Sequence, residues 1–261
     1  MTMMRDILVV EDEQSVSQAV KMVCSKEGMS VTVVDNAQEA LRRLSENSFR
    51  LVLCDIMMHE LDGFQFLEAL NQSGIHIPVV MMTGYSTVEN AVKSLAAGAI
   101  DYMPKPFTAD ELLTVISRSL RSGELLDEAE SAGLERESSM HFIPCPNHYL
   151  RLGYVSWALM EDEGTALIGV SDLFLKAVDG IQHLELMALG EDIMQGIPCA
   201  VATSPDGSAH GIMCPMGGKI LEVNAESETN PSLVEKDPYF KGWLYRILPS
   251  DPESDMQWLS I

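Results

Sequence analysis

Residues 51–64 read LVLCDIMMHELDGF. The run Leu51–Cys54 is short and wholly apolar, as expected of a strand covered on both faces at the centre of a parallel sheet. It stops on a carboxylate, Asp55. Working outward, the same grammar repeats. Ile7–Val10, Val31–Val34, Val79–Met82 and Asp101–Met103 are compact strand candidates. Between and after them, Ser15–Lys26, Ala37–Leu44, Phe64–Leu70, Val88–Ala97 and Ala109–Leu120 have helical spacing. Five strand–helix units in about 115 residues specify an α/β fold, a doubly wound five-stranded parallel sheet.

The chain of 261 residues has room for a second domain. Ser122–Met140 marks the change, with Glu124, Asp127, Glu128, Glu130, Glu135 and Glu137 set against Arg136. Such a segment reads as an exposed helix extension or a flexible linker. The expected division is therefore 1–122, an acidic connector at 123–147, and a second domain at 148–261. From Leu150 onward the pattern becomes β-rich. Tyr154–Met160, Thr165–Val170, Leu184–Leu189, Pro198–Ala202, Gly211–Met216 and Lys219–Val223 are short strands punctuated by turn residues, with short helices at Asp172–Val178 and Pro231–Glu235. The Asp251–Trp258 tail, with Trp258 exposed or docked, could engage a partner, but its default reading is a solvated terminus.

Charge excludes some functions. With 39 acidic and 17 basic residues the chain is a poor binder of nucleic acid or of an anionic membrane. Residues 141–261 alone carry 17 acids against 6 Lys or Arg and no basic helix, so the second domain is not expected to read DNA. No apolar run is long enough for a bilayer span. Early charges at Arg5, Asp6 and Glu11–Glu13 argue against a secretory signal. Five cysteines without a Cys-x-x-Cys pair do not make a disulfide framework. A cytoplasmic protein is expected. His141, Cys145 and His148 lack a fourth ligand nearby and read better as part of a linker strand than as a metal site.

Ligands of a doubly wound sheet bind beyond the carboxyl ends of its strands. There the sequence places Glu11 and Asp12, Asp55, Thr83 and Lys105. Converging carboxylates repel each other, and a divalent cation relieves that repulsion; an all-oxygen site suits Mg²⁺. A lysine and a threonine hydroxyl beside them can stabilise a phosphoryl group carried on one carboxylate.

These residues carry a resemblance. ILVVEDE (7–13), LVLCDIMMHELDGF (51–64), VVMMTGYST (79–87) and DYMPKPF (101–107) resemble the receiver domain of bacterial response regulators over residues 5–122. The resemblance implies that Asp55 accepts a phosphoryl group from a histidine kinase or phosphotransfer protein. It implies Mg²⁺ on Glu11, Asp12, Asp55 and the backbone carbonyl of Met57, with Thr83 and Lys105 on the phosphoryl oxygens. It makes Tyr102 the switch aromatic and Lys105-Pro106 a cis bond. It also implies a signalling protein that catalyses only its own phosphorylation and dephosphorylation, with dimerisation possible through the face of the fourth helix, fifth strand and fifth helix. His59 departs from the proline usual there, and the expectation is a looser loop with no effect on chemistry.

The second half resembles the glycine cleavage system H protein, a lipoyl-carrier barrel-sandwich. The segments are WALMEDEGTALIGVSD (157–172), LELMALGEDIMQG (184–196), CPMGGKILEVN (214–224) and NPSLVEKDPYFKGWLYRILPSDP (230–252). That family presents a lipoyl-lysine at a hairpin tip, in a Glu-Ser-x-Lys-Ala stretch. Here the hairpin reads AVATSPDGSAHGIM (200–213), and Gly207 or Asp206 stands at the lysine position. No lipoate is therefore expected, and a protein-interaction output toward an unknown target is. Two rival readings are a phosphate sink with an inert second domain and a lipoyl carrier regulated by phosphorylation.

Overall fold

Strands and helices alternate through the first half of the computed structural model, which describes residues 6–59, 61–84, 87–132 and 142–261. The order is β1 (Asp6–Val10), α1 (Gln14–Lys26), β2 (Ser30–Val34), α2 (Ala37–Glu46) and β3 (Leu51–Asp55). It continues with α3 (Gly63–Ser73), β4 (Val79–Thr83), α4 (Val88–Ala96), β5 (Asp101–Pro104) and α5 (Ala109–Ala132). The five strands form one parallel sheet in the order β2-β1-β3-β4-β5. β3 lies at its centre and β4 beside it, and every residue of both is buried, which accounts for their unbroken apolar runs. By compactness the chain divides into two units, 1–87 with 97–123, and 88–96 with 124–261.

Of the two readings of the acidic connector, the helix holds through Ala132, because α5 continues past its expected end at Leu120. Residues 133–141, which include His141 of the weighed metal trio, lie outside the described residues.

The β-rich half continues with β6 (Leu150–Leu152), β7 (Ser156–Met160), β8 (Ala166–Val170), α6 (Asp172–Ala177), β9 (His183–Leu186) and β10 (Asp192–Ile193). There follow β11 (Pro198–Thr203), β12 (Ala209–Met213), β13 (Gly218–Val223), α7 (Ala225–Thr229), α8 (Ser232–Lys236), β14 (Trp243–Pro249) and α9 (Pro252–Met256). Six strands, β10-β13-β14-β8-β7-β6, make one antiparallel sheet, and β12-β11-β9 make a second. Between them lies a core that includes Leu152, Ala158, Ile168, Leu184, Ala202, Ile212, Ile220 and Ile247. β14 was not among the expected strands. A bulge between Trp243 and Tyr245 breaks its alternation, so Leu244 and Tyr245 are both buried and the period of two is lost.

The solvated tail is also overturned. Asp251 caps α9 through the Ser254 N–H at 3.2 Å, and Asp255 Oδ2 accepts the Gly217 N–H at 2.8 Å. Met256, Trp258 and Leu259 pack against the core, and Ser260 pairs with Arg151 through two backbone hydrogen bonds of 2.7 and 3.0 Å. The apolar residues of this tail are too few for a periodic signal, yet docking them removes them from water.

Candidate functional site: an acidic pocket at the carboxyl ends of the strands

Parallel register brings the strand ends level. Val10 pairs with Cys54, Asp55 with Met82, and Thr83 with Pro104. Whatever follows each strand therefore opens onto one pocket. Glu11 and Asp12 come from the end of β1, Asp55 and Thr83 are the last residues of β3 and β4, and Lys105 follows β5. Glu11, Asp55 and Thr83 are buried.

One carboxylate oxygen from each of Glu11, Asp12 and Asp55 lies within 4.8 Å of the others, a spacing that fits a shared cation. Lys105 Nζ donates to Glu11 Oε2 at 2.5 Å and to Asp55 Oδ2 at 2.8 Å. One ammonium faces three carboxylates, so the pocket keeps an excess of negative charge that a divalent cation would offset. This donor set, all oxygen and partly open, fits Mg²⁺. Burial lifts the Glu11 carboxyl above its ordinary range, although Lys105 pulls the other way. Burial also works against the Lys105 charge, but its bonds to Asp55 and Glu11 prevail and hold the ammonium above the usual lysine value.

The loop after β3 is held from two sides. The Met57 N–H donates to Asp55 Oδ1 at 3.1 Å, and the Ile56 N–H to the Met82 carbonyl at 2.8 Å. The Lys105-Pro106 bond is cis. A capping box closes the start of α3, where Asp62 Oδ1 accepts the Gln65 N–H and the Gln65 side chain accepts the Asp62 N–H. Next to it, Gly63 lies against the backbone at the end of β3. A Cβ there would fall 2.4 Å from the Asp55 carbonyl oxygen and 2.9 Å from Ile56 Cα. Gly63→Ala should therefore push the Asp55 loop outward. It should cost about 1–3 kcal/mol in urea unfolding and slow phosphoryl capture by about 10- to 100-fold. An unchanged rate would show that this contact does not position Asp55.

His59 adds a contact that the sequence reading did not include. Its Nδ1 stands 2.8 Å from Asp12 Oδ2, so the residue in the usual proline position touches the pocket. The signal was present in the sequence, as a ligand-type side chain four residues beyond Asp55. Tyr102 is buried on β5, and its N–H donates to Asp101 Oδ1 at 2.9 Å. Arg118 on α5 holds the same aspartate through two bonds to Oδ2, at 2.8 and 2.5 Å.

At the other candidate position, Gly207 and Asp206 lie in the tight turn between β11 and β12. Asp206 Oδ1 accepts from Ser204 Oγ at 2.5 Å and from the Ser208 N–H at 3.0 Å. The Gly207 N–H donates to the Ser204 carbonyl at 2.9 Å, with Gly207 at φ +87°. Ser204 Oγ also lies 3.2 Å from Nε2 of the buried His210. The tip is thus a self-bonded turn. The four lysines of this half lie elsewhere: Lys176 in α6, Lys219 in β13, Lys236 at the end of α8, and Lys241 ahead of β14. Among the described residues no helix is long and apolar enough to cross a membrane.

Comparison with known proteins gives a separate match for each half of the chain. The family model for the response regulator receiver domain matches residues 7–117, and that for the glycine cleavage H-protein matches 149–260. Transcriptional regulatory protein ZraR of Escherichia coli O157:H7 is 37% identical over 122 residues, 47% of this chain and 28% of that protein. The uncharacterized transcriptional regulatory protein YkoG of Bacillus subtilis is 36% identical over 115 residues, 44% of this chain and 50% of that protein. The chain therefore spans half or less of the length of these two relatives. The solved receiver domain of NtrX from Brucella abortus is 37% identical, with 44% of this chain and 98% of that chain covered and a TM-score of 0.43. Residues 7–117 are thus similar to the response regulator receiver domain and residues 149–260 to the glycine cleavage H-protein, each match covering less than half of the chain.

Proposed function

We propose that the protein is a cytoplasmic two-component response regulator that takes a phosphoryl group onto Asp55 and signals through its H-protein domain to another protein. One observation carries the first half: three carboxylates converge within 4.8 Å while Lys105 Nζ sits on Asp55 Oδ2 at 2.8 Å. An Asp55 oxygen attacks the phosphorus of a phosphohistidine presented by a sensor kinase or phosphotransfer protein. The P–N bond breaks, its electron pair leaves with the imidazole, and that nitrogen takes a proton from solvent. Asp55 is left as an acyl phosphate. Glu11, Asp12, Asp55 and the Met57 carbonyl would hold Mg²⁺, which when bound supplies charge neutralisation around the phosphoryl oxygens. Lys105 and the Thr83 hydroxyl donate to those oxygens, and Tyr102, beside the Asp101–Arg118 pair, transmits the shift of Thr83. Apart from its own phosphorylation and dephosphorylation the protein carries out no catalysis.

The second domain supports an output that is neither DNA binding nor lipoyl transfer. Its 17 acids against 6 Lys or Arg oppose a phosphate backbone, and residues 200–213 offer no amine for a lipoyl amide. The relatives named as transcriptional regulators would thus share the input half alone.

Intact mass of the purified chain, before and after Mg²⁺ and a small acyl-phosphate donor, tests the chemistry. One phosphoryl group gained by wild type and none by Asp55→Asn is the expected result. Gain by both would move the acceptor elsewhere, and a lipoyl adduct in the untreated sample would overturn the output reading. Capture of a partner by the phosphorylated chain and not by Asp55→Ala would exclude a mere phosphate sink.

A further inference from the structure

The pocket has an inner and an outer part. Lys105 occupies the inner oxygens, bridging Glu11 and Asp55. Asp12 is the outer carboxylate, and its neighbour is His59. Resting on the reading of this pocket as a divalent-cation site, we propose that His59 supplies a nitrogen ligand to the cation beside Asp12. The site would then favour first-row transition ions over Mg²⁺.

Three observations carry the inference. First, His59 Nδ1 and Asp12 Oδ2 are 2.8 Å apart. Neighbouring ligands on an octahedral ion with bonds of about 2.1 Å stand roughly 3.0 Å apart, so the two atoms already have the separation of a cis pair. Second, the His59 side chain is 96% exposed, so packing does not oppose the change of tautomer that moves the proton from Nδ1 to Nε2, nor the small turn that aims the freed Nδ1 lone pair at the ion. Third, Lys105 already bridges Glu11 and Asp55, which leaves Asp12, beside the imidazole, as the carboxylate of the three to which Lys105 does not donate. An all-oxygen pocket suits Mg²⁺, which binds imidazole poorly. An oxygen set with one imidazole nitrogen gains affinity along the series from Mn²⁺ to Ni²⁺.

The test uses the full chain and its His59→Pro and Asp12→Asn variants. Calorimetric titration with MgCl₂ and with NiCl₂ gives the selectivity. Electron spin-echo modulation of the Mn²⁺-loaded protein reports a directly bound ¹⁴N. In wild type we expect Ni²⁺ to bind at least about 10-fold tighter than Mg²⁺, together with nitrogen modulation. His59→Pro should lose the modulation and most of the preference, leaving Mg²⁺ affinity within about twofold. Asp12→Asn should weaken both ions, which ties the signal to this pocket rather than to other histidines. Wild-type binding without nitrogen modulation, or an unchanged preference in His59→Pro, overturns the role of His59 and leaves the cation site standing. Failure of wild type to bind any of the three ions overturns the cation reading itself.

Discussion

Lys105→Met should move two measurements in opposite directions. Phosphoryl capture should fall by about 10²- to 10³-fold, the usual effect of removing one charged donor aimed at developing negative charge. Mg²⁺ affinity should rise, because Lys105 Nζ no longer competes for Glu11 Oε2 and Asp55 Oδ2. The ammonium is only 10% exposed and the Glu11 side chain fully buried, so the variant leaves two carboxylates close together with no cation between them. Breaking a buried pair in this way costs about 3–5 kcal/mol, and added Mg²⁺ should restore much of it by binding the folded state. Unfolding alone would lower both readings together. If Mg²⁺ bound no better to the variant, the charge argument for the pocket would fail.

Trp157→Ala is expected to be the most damaging single change in the β-rich half. Its side chain is fully buried on β7, and its Nε1–H donates to the Val170 carbonyl at 3.0 Å. The indole is tilted on Tyr149 at 4.8 Å and on Tyr239 at 6.2 Å. Those two rings are tied by the Tyr149 hydroxyl donating to the Tyr239 carbonyl at 2.7 Å. Tyr239 in turn donates to the Ile143 carbonyl at 2.9 Å and accepts from the Asp172 N–H at 3.1 Å. Truncation opens a cavity among groups that cannot all collapse, for about 3–5 kcal/mol. Against a typical domain stability of about 5–15 kcal/mol that is a large share. The check is the urea midpoint followed by near-ultraviolet circular dichroism. A midpoint unchanged from wild type would mean that the aromatic cluster does not hold this half together.

The α/β half was legible because its information is local. Each buried strand announces itself as an apolar run, and each pocket residue is the next polar side chain after one. The β-rich half was less so. β6 and β10 are too short to show a period, and the bulges in β13 and β14 put consecutive residues on unexpected faces. The docked tail was invisible because its support, Gly217, Gln195 and Arg151, lies far away in sequence. The contact of His59 was out of reach of the sequence for a related reason. A departure from a motif shows that a residue is different, while its contact with Asp12 is a distance across 47 positions of chain.

The turn between β11 and β12 bears on how such a domain could be retrofitted. Placing a lysine at Gly207 would meet no steric block, since nothing stands within 4 Å of where its Cβ would go. It would nevertheless force an L-residue to φ +87°, at about 1–2 kcal/mol. The Asp206 bonds to Ser204 and Ser208 would still clamp the loop. Presenting an amine from this turn is therefore a matter of reshaping its backbone as well as of exchanging one side chain.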